Sequence, residues 1–179
     1  MEDHFKNIWY LEDKNERIKS IEEKEQLILS KGKSLIMNPN SDLLYKEAKS
    51  SFIHGNFIAA AITFYLTIEQ YLLWSNQAKR GNVVKLLIWP KYQEIFADAL
   101  ENQFIDEKLE RNLILYVEGC RDQIMHPKSI YHLSQVGLRR TSRESSSFGR
   151  KDDPRVYLGP LGCAKRALDL LFDILEYNC

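Results

Sequence analysis

Apolar side chains recur at intervals of three and four residues along most of this chain, which is the spacing of an amphipathic α-helix. No window alternates regularly between apolar and polar residues, so the pattern does not predict β-strands. The five prolines fall where a periodic stretch starts or stops, because proline lacks the N–H and clashes inside a helix. The pattern predicts an all-α protein, a single bundle of five to six helices, with helices over 15–37, 43–54, 57–76, 92–101, 107–125 and 161–177 and a shorter one over 82–88.

The segment 57–76 is apolar almost all round, which is typical of the buried central helix of a bundle. Tyr65, Tyr71 and Trp74 recur at helical spacing within it, and we expect all three in the core. Gly55 interrupts the pattern just before this segment. The sequence therefore predicts a helical hairpin here.

We interpret residues 1–179 as one domain, because the chain is long enough to bury a sizeable core and contains no internal repeat. A long, charged N-terminal helix forms an extension. A mobile basic loop, rich in Ser and Arg, is predicted before the last helix. The expected parts are the extension (1–40), the core (41–127), the loop (128–159) and the C-terminal helix (160–179).

The charge balance limits the kinds of partner that the whole chain can attract. The 25 basic and 25 acidic side chains cancel, so any site for nucleic acid must be local. The most apolar run, 57–68, contains two threonines and is too short to span a bilayer, and the N-terminus lacks the apolar stretch of a signal peptide. We therefore expect a soluble cytoplasmic protein that does not contact a membrane.

Cysteine and histidine usage predicts neither a disulfide framework nor a metal site. The three cysteines form no CxxC pair, which favours a reduced, intracellular protein, and we expect Cys120 to be a small buried thiol. His4, His54 and His132 are scattered along the chain without metal-ligand spacing.

An arginine and a histidine lie five residues apart at the predicted end of a helix, Arg121 and His126, just before Pro127. Helical geometry places such a pair about 140° apart, and a loosened last turn would bring both to one groove. Histidine exchanges a proton near neutral pH, and arginine grips a phosphate with two donors. The pair indicates phosphodiester chemistry. In a ribonuclease we expect both side chains to be exposed at a basic groove, whereas in a helical structural adaptor they would be capped, buried or pointing apart. The alternative is a helix C-terminus that favours two cations through its dipole.

The segment 121–126 (Arg-Asp-Gln-Ile-Met-His) resembles the motif of the HEPN superfamily (higher eukaryote and prokaryote nucleotide-binding domains). That motif is an arginine, four to six residues and a histidine at the end of a bundle helix. The preceding hairpin, 44–74, is also similar to the family's pattern, because its Ala-rich second helix ends in 68–72 (Ile-Glu-Gln-Tyr-Leu). Asp122 stands where the family more commonly has asparagine. The resemblance covers about 42–127 and extends to the final helix.

What the resemblance implies is a metal-independent endoribonuclease, without a cofactor, that cleaves single-stranded or loop RNA. His126 would activate the ribose 2′-OH or protonate the leaving oxygen, and Arg121 would hold the scissile phosphate. The products would be a 2′,3′-cyclic phosphate and a 5′-OH. It also implies a homodimer with a composite active site, a toxin or antiviral defence role, and an antitoxin or other regulatory protein as a partner. Other members have lost catalysis and bind only nucleotides or proteins, which is the alternative function.

Two carboxylates, Asp122 and Glu69, are expected to support this site. Asp122 would repel a substrate phosphate, hold Arg121 or keep His126 protonated. Glu69 lies in the most apolar helix, where a bare carboxylate is costly, so it needs a partner. That partner is either Arg121, through a salt bridge, or a group that makes a structural hydrogen bond.

Basic side chains outnumber acidic ones in the predicted loop. Lys128, Arg139, Arg140 and Arg143 are the candidates for contacts with RNA phosphates, which position RNA without distinguishing its sequence. The alternative is a solvated insertion, or a segment that only a partner orders.

Overall fold

The computed structural model describes residues 13–32, 38–81, 90–125 and 159–178. Its elements are α1 (Lys14–Ser30), α2 (Pro39–Ile53), α3 (Phe57–Lys79), α4 (Tyr92–Glu101), α5 (Glu107–Tyr116), a π-helical turn (Val117–Arg121), α6 (Asp122–Met125) and α7 (Gly159–Tyr177). Because α5, the π-helical turn and α6 are continuous, these ranges form six helical rods, and they contain no strand. The predicted all-α bundle is confirmed. The predicted helix over 82–88 and the predicted loop up to residue 158 lie outside the described residues.

The first turn of α2 is set by a capping side chain. Asn38 accepts hydrogen bonds from the backbone N–H groups of Asn40 and Ser41, each at 3.1 Å. Pro39 occupies the first helical position, where its missing N–H costs nothing. The predicted start at residue 43 was therefore too late, because the sequence pattern assigned this proline to a turn.

Glycines in the left-handed conformation follow the ends of α1 and α2. Gly32, with φ +70°, follows α1, which ends at Ser30, so this glycine interrupts the helix predicted over 15–37. Residues 33–37 lie outside the described residues. Gly55, with φ +81°, separates α2 from α3, as the break in the apolar pattern predicted. A side chain at either position would be strained, because L-residues rarely adopt such φ values.

α3 lies at the centre of the bundle and packs against α2, α4 and α7. Burial of one large apolar side chain stabilises the fold by about 1.5–3 kcal/mol. A single core cluster contains side chains from each of the six rods, among them Ile21, Phe52, Phe64, Tyr65, Ile68, Leu72, Phe96, Leu113 and Leu171. Tyr65 is therefore in the core, as predicted.

The outer face of α3 remains exposed. Trp74 is 48% exposed and Leu66 is 38% exposed, so the prediction that Trp74 lies in the core was wrong. At 100° per residue Trp74 falls outside the arc of α3 that packs on α2 and α7, which contains Phe64 and Ile68. Tyr71 is only partly buried.

α3 is also the one helix of the described ranges that is long and apolar enough to cross a membrane by length and composition. Half of its apolar window is buried inside the protein. The core helix of a bundle passes the same test, so this is weak evidence for a membrane span.

α1 is held against the bundle by two buried apolar side chains, Ile21 and Ile28, and by one buried arginine. Arg17 donates from Nε and Nη2 to the carbonyl oxygen of Ile53, at 3.1 and 2.9 Å. Its Cζ lies over the ring of Phe57, 5.5 Å from the centroid. The N-terminal half of α1 is thereby joined to the turn between α2 and α3.

A buried amide positions α4 against α3. The side chain of Asn76 donates to the carbonyl oxygen of Ile95 at 3.2 Å and accepts from Nδ2 of Asn102 at 3.1 Å. These bonds satisfy an amide that is only 2% exposed. They fix the helix that begins with Tyr92, a residue of the candidate site.

Candidate functional site around Arg121

A π-helical turn carries the arginine that the sequence singled out. Val117–Arg121 forms this turn directly after α5, and the chain continues as α6. A π-helical turn adds one residue to the helical register, which rotates the following side chains by about 100° relative to an unbroken α-helix. Such turns are rare and are frequently found at functional sites. The sequence predicted one regular helix here, because the apolar residues at 113, 117, 120 and 124 recur at intervals of three and four, as in an unbroken α-helix.

Two tyrosine rings, one from α3 and one from α4, contact the guanidinium of Arg121. Its Cζ lies 5.3 Å from the ring centroid of Tyr65 and 5.9 Å from that of Tyr92. Tyr65 in turn stacks on Tyr116 at 5.8 Å, and Tyr92 contacts Phe96 at 5.7 Å. A cation–π contact contributes about 0.5–2 kcal/mol. The arginine therefore joins three helices and has little freedom to move.

Glu69 is the buried carboxyl of this site, only 5% exposed on α3. The hydroxyl of Tyr65 donates a hydrogen bond to it. Burial raises the pKa of Glu69, whereas the Tyr65 hydrogen bond and the charge of Arg121 act in the opposite direction. Of the two partners that the sequence left open, the structure shows the hydrogen bond, while Arg121 acts on Glu69 through its charge.

The hydroxyl of Tyr65 is a dependable donor. Burial and the neighbouring Glu69 raise the pKa of Tyr65 well above its ordinary value of 10.0. The phenol therefore stays protonated at neutral pH and can donate its hydrogen bond to the carboxyl of Glu69.

The ion pair of Arg121 is with the next residue in the chain. Its Nη1 lies 2.8 Å from Oδ1 of Asp122, and the two side chains are 26% and 38% exposed. Its Nε is buried and has no hydrogen-bond partner within the described ranges. Nε is thus closed to solvent, and Nη1 already donates to a carboxylate.

The surroundings of Arg121 differ from the exposed, basic groove that the sequence led us to expect. About three-quarters of the side chain is covered. The pKa of Tyr92 is raised by burial and by the charges of Asp122 and Glu118, which indicates an acidic neighbourhood. The expectation was wrong for Arg121 because aromatic rings from two other helices pack on it.

Three of the predicted site residues come together in the structure, namely Arg121, Asp122 and Glu69. The others lie outside the described residues and stay predictions: His126, Lys128, Arg139, Arg140 and Arg143. Sequence reasoning missed two contacts of the site. It assigned Tyr65 to the core alone, and it gave no role to Tyr92. The one available signal was the spacing of four residues between Tyr65 and Glu69, which places both on one face of a helix.

Two neighbours of the π-helical turn have structural roles. Tyr116 is a core residue: it is 2% exposed, and its hydroxyl donates to the carbonyl oxygen of Ala61 at 3.0 Å. Cys120 is a buried thiol, 3% exposed, as predicted. Within the described ranges, no three His, Cys, Asp or Glu side chains lie close enough together to hold a metal ion.

The fold and this site define an all-α bundle with a clamped, partly exposed arginine at the end of a π-helical turn. Comparison of the chain with protein-family models, with curated proteins and with solved structures finds no match. The functional conclusion therefore depends on the residues of the site and on the motif that they form.

Proposed function

We propose that this protein is a metal-independent endoribonuclease of the HEPN type, with Arg121 and His126 as its catalytic residues. The observation that carries the proposal is the state of Arg121. It ends a π-helical turn, its guanidinium contacts Tyr65 and Tyr92, and a quarter of its side chain remains exposed. His126 follows five residues later. A cation held between two aromatic rings, together with a histidine five residues later in the chain, suits phosphodiester cleavage, because histidine ordinarily exchanges a proton near neutral pH.

In the proposed reaction the ribose 2′-oxygen attacks the adjacent phosphorus. His126 accepts the 2′-OH proton or donates a proton to the departing 5′-oxygen. Arg121 binds the phosphate oxygens and offsets the negative charge that grows on them in the transition state. The bond between phosphorus and the 5′-oxygen breaks, which leaves a 2′,3′-cyclic phosphate and a 5′-OH.

The contacts around Arg121 support this role through preorganisation. A donor that is already oriented in the free enzyme costs no reorganisation when charge develops. Tyr65 and Tyr92 restrict the guanidinium, and the hydrogen bond between Tyr65 and Glu69 fixes the first of these rings. Tyr65, Tyr92 and Glu69 are positioning residues in this proposal, because they act through Arg121.

One arginine and one histidine supply few catalytic groups for this reaction. The proposal therefore includes a homodimer in which two copies of the motif share one active site. One histidine would then accept the proton while the other donates one. Single-stranded or loop RNA is the proposed substrate, and Lys128, Arg139 and Arg140, together with Arg143, would contact its phosphates. A toxin or antiviral defence role, with an antitoxin or regulatory protein as partner, completes the proposal.

The decisive experiment is incubation of the purified protein with end-labelled single-stranded RNA in EDTA. We expect cleavage with cyclic phosphate ends, and a loss of roughly a hundredfold or more in Arg121→Ala and in His126→Ala. Arg111→Ala is the matched control, because it removes an exposed arginine from the same helical rod. Cleavage that stops in EDTA and returns with a divalent ion would contradict the proposal. Equal activity in all variants would also contradict it.

The second candidate is a non-catalytic nucleotide- or protein-binding module. The ion pair between Arg121 and Asp122 favours it, because it occupies the guanidinium in the free protein. The same RNA assay separates the two functions. A module would bind RNA or a nucleotide without cutting it, and His126→Ala would then bind as well as the wild type.

A further inference from the structure

Arg121 cannot offer its full set of donors to a ligand while Asp122 stays in contact with it. Nη1 already donates to Oδ1 of Asp122 at 2.8 Å. Nε is buried, so a ligand must approach the two terminal nitrogens. A phosphate that takes one donor from each of them therefore competes with the carboxylate at Nη1.

We propose that Asp122 restrains this site by competing with the substrate phosphate for Arg121. This inference rests on the proposed function, because it names the regulation of the same arginine. The two members of the ion pair differ in freedom of movement. The rings of Tyr65 and Tyr92 hold the guanidinium, whereas the Asp122 side chain is 38% exposed. The carboxylate is thus the member that moves away when a phosphate binds.

The competition has two physical parts. The phosphate must replace a charge-assisted hydrogen bond that the arginine already makes. It must also approach a carboxylate of the same charge, and two like charges a few ångströms apart at a partly exposed site lower affinity by on the order of tenfold. Both parts oppose the binding of the phosphate to Arg121. They do not act on the chemical step, because the carboxylate has moved away once the phosphate is bound. The restraint should therefore be measured in KM and not in kcat.

Glu118 provides a matched comparison. It is exposed on the π-helical turn, and its charge acts on Tyr92, as the charge of Asp122 does. The ion pair that the structure shows for Arg121 is with Asp122. Glu118→Gln therefore removes one negative charge from the same neighbourhood and leaves the competing contact in place, while Asp122→Asn removes the competing charge with almost no change of shape.

The test measures two quantities in the wild type, Asp122→Asn, Glu118→Gln, Arg121→Ala and the double variant Arg121→Ala/Asp122→Asn. The first is KM and kcat for cleavage of labelled single-stranded RNA in EDTA. The second is the Kd for a fluorescent 2′-O-methyl RNA of mixed sequence, which lacks the attacking hydroxyl and cannot be cut by the proposed route.

We expect Asp122→Asn to lower KM and Kd by about tenfold, with kcat nearly unchanged. Glu118→Gln should change both by less than about threefold. In the Arg121→Ala background the gain from Asp122→Asn should disappear, because the competition is for that guanidinium.

Each other outcome decides between this inference and the proposed function. Suppose that the wild type cuts RNA while the KM and Kd of Asp122→Asn equal those of the wild type or those of Glu118→Gln. In that case the inference is wrong and the proposed function stands. A weaker Kd in Asp122→Asn, with an unchanged melting temperature, would mean that Asp122 holds Arg121 for the ligand, which also overturns the inference. If no variant cuts RNA but Asp122→Asn binds it more tightly through Arg121, the competition stands and the catalytic proposal fails. Absence of RNA binding in all five proteins overturns both.

Discussion

The guanidinium of Arg121 lies over the ring of Tyr65, with its Cζ 5.3 Å from the ring centroid. This contact connects the π-helical turn to the centre of α3, where the same tyrosine donates to the buried Glu69. Arg121, which the sequence predicts only as a catalytic residue, therefore also packs against the other helices of the bundle. If the packing role matters, loss of the Arg121 side chain lowers the stability of the fold as well as the proposed activity.

Replacement of Arg121 by alanine should lower the free energy of unfolding by about 1–3 kcal/mol, because it removes two cation–π contacts and the partner of Asp122. Chemical denaturation measures this. Arg111→Ala should stay within about 0.5 kcal/mol of the wild type, since Arg111 is exposed. Equal stability of both variants would mean that the rings do not hold the guanidinium.

Removal of the Tyr65 hydroxyl should destabilise the protein more than removal of the Tyr116 hydroxyl. Tyr65→Phe leaves the buried Glu69 without its donor, which costs about 1–3 kcal/mol. Tyr116→Phe deprives the carbonyl oxygen of Ala61, which lies inside α3, where the helix supplies a backbone donor as well. Urea denaturation of the two single variants, compared under the same conditions, tests the order. The reverse order would contradict the role given to Tyr65.

The stability of the protein should depend on pH through Glu69. Because burial raises its pKa above the ordinary value of 4.5, the native state binds a proton that the unfolded chain releases. The contribution of this group is complete below pH 4.5 and is lost as pH rises through the raised pKa. Each pKa unit between the folded and unfolded states is worth about 1.4 kcal/mol.

Glu69→Gln tests this dependence, because the amide keeps an acceptor for Tyr65 and does not ionise. Denaturation between about pH 4 and pH 8 should show the wild type losing stability relative to Glu69→Gln as pH rises. Glu47→Gln, at an exposed position of α2, controls for the loss of one negative charge. If the wild type instead becomes more stable relative to Glu69→Gln as pH rises, the ionised carboxylate is the form that the native state favours.

Arg17 should be the polar residue that contributes most to the docking of α1. Arg17→Met removes two hydrogen bonds to the carbonyl oxygen of Ile53 and should cost about 1.5–3 kcal/mol. Lys19→Ala is the control, because the ion pair of Lys19 with Glu23 is exposed and contributes under about 0.5 kcal/mol. Thermal unfolding of both variants gives the comparison. A change in Arg17→Met no larger than in the control would mean that Arg17 contributes little to the docking of α1.

Self-association accompanies the proposed function, because one copy supplies only one arginine and one histidine of the motif. Sedimentation at micromolar concentration should give a dimer. An excess of His126→Ala added to the wild type should lower the activity per wild-type chain, since a mixed dimer contains only one of the two histidines. A clean monomer that still cuts RNA would rule out the composite site.

The sequence by itself determined most of the helices of the described ranges. Hydrophobic periodicity, prolines and capping residues act over a few positions, so the bounds of α4 and the break at Gly55 follow from neighbouring residues alone. The pairing of Arg121 with Asp122 also joins neighbours in the chain. The residue types alone left three roles open for Asp122: to repel a substrate phosphate, to hold Arg121 or to keep His126 protonated.

Only the tertiary structure decided what surrounds Arg121. Tyr65 and Tyr92 come from different helices, and they meet the guanidinium because Asn76 fixes α4 on α3 and because a π-helical turn changes the register before Arg121. Neither cause has a local signature, since the apolar residues around the π-helical turn keep the spacing of three and four residues that an unbroken α-helix has. The exposure of Trp74 has the same origin, because the way helices pack decides which apolar face is covered.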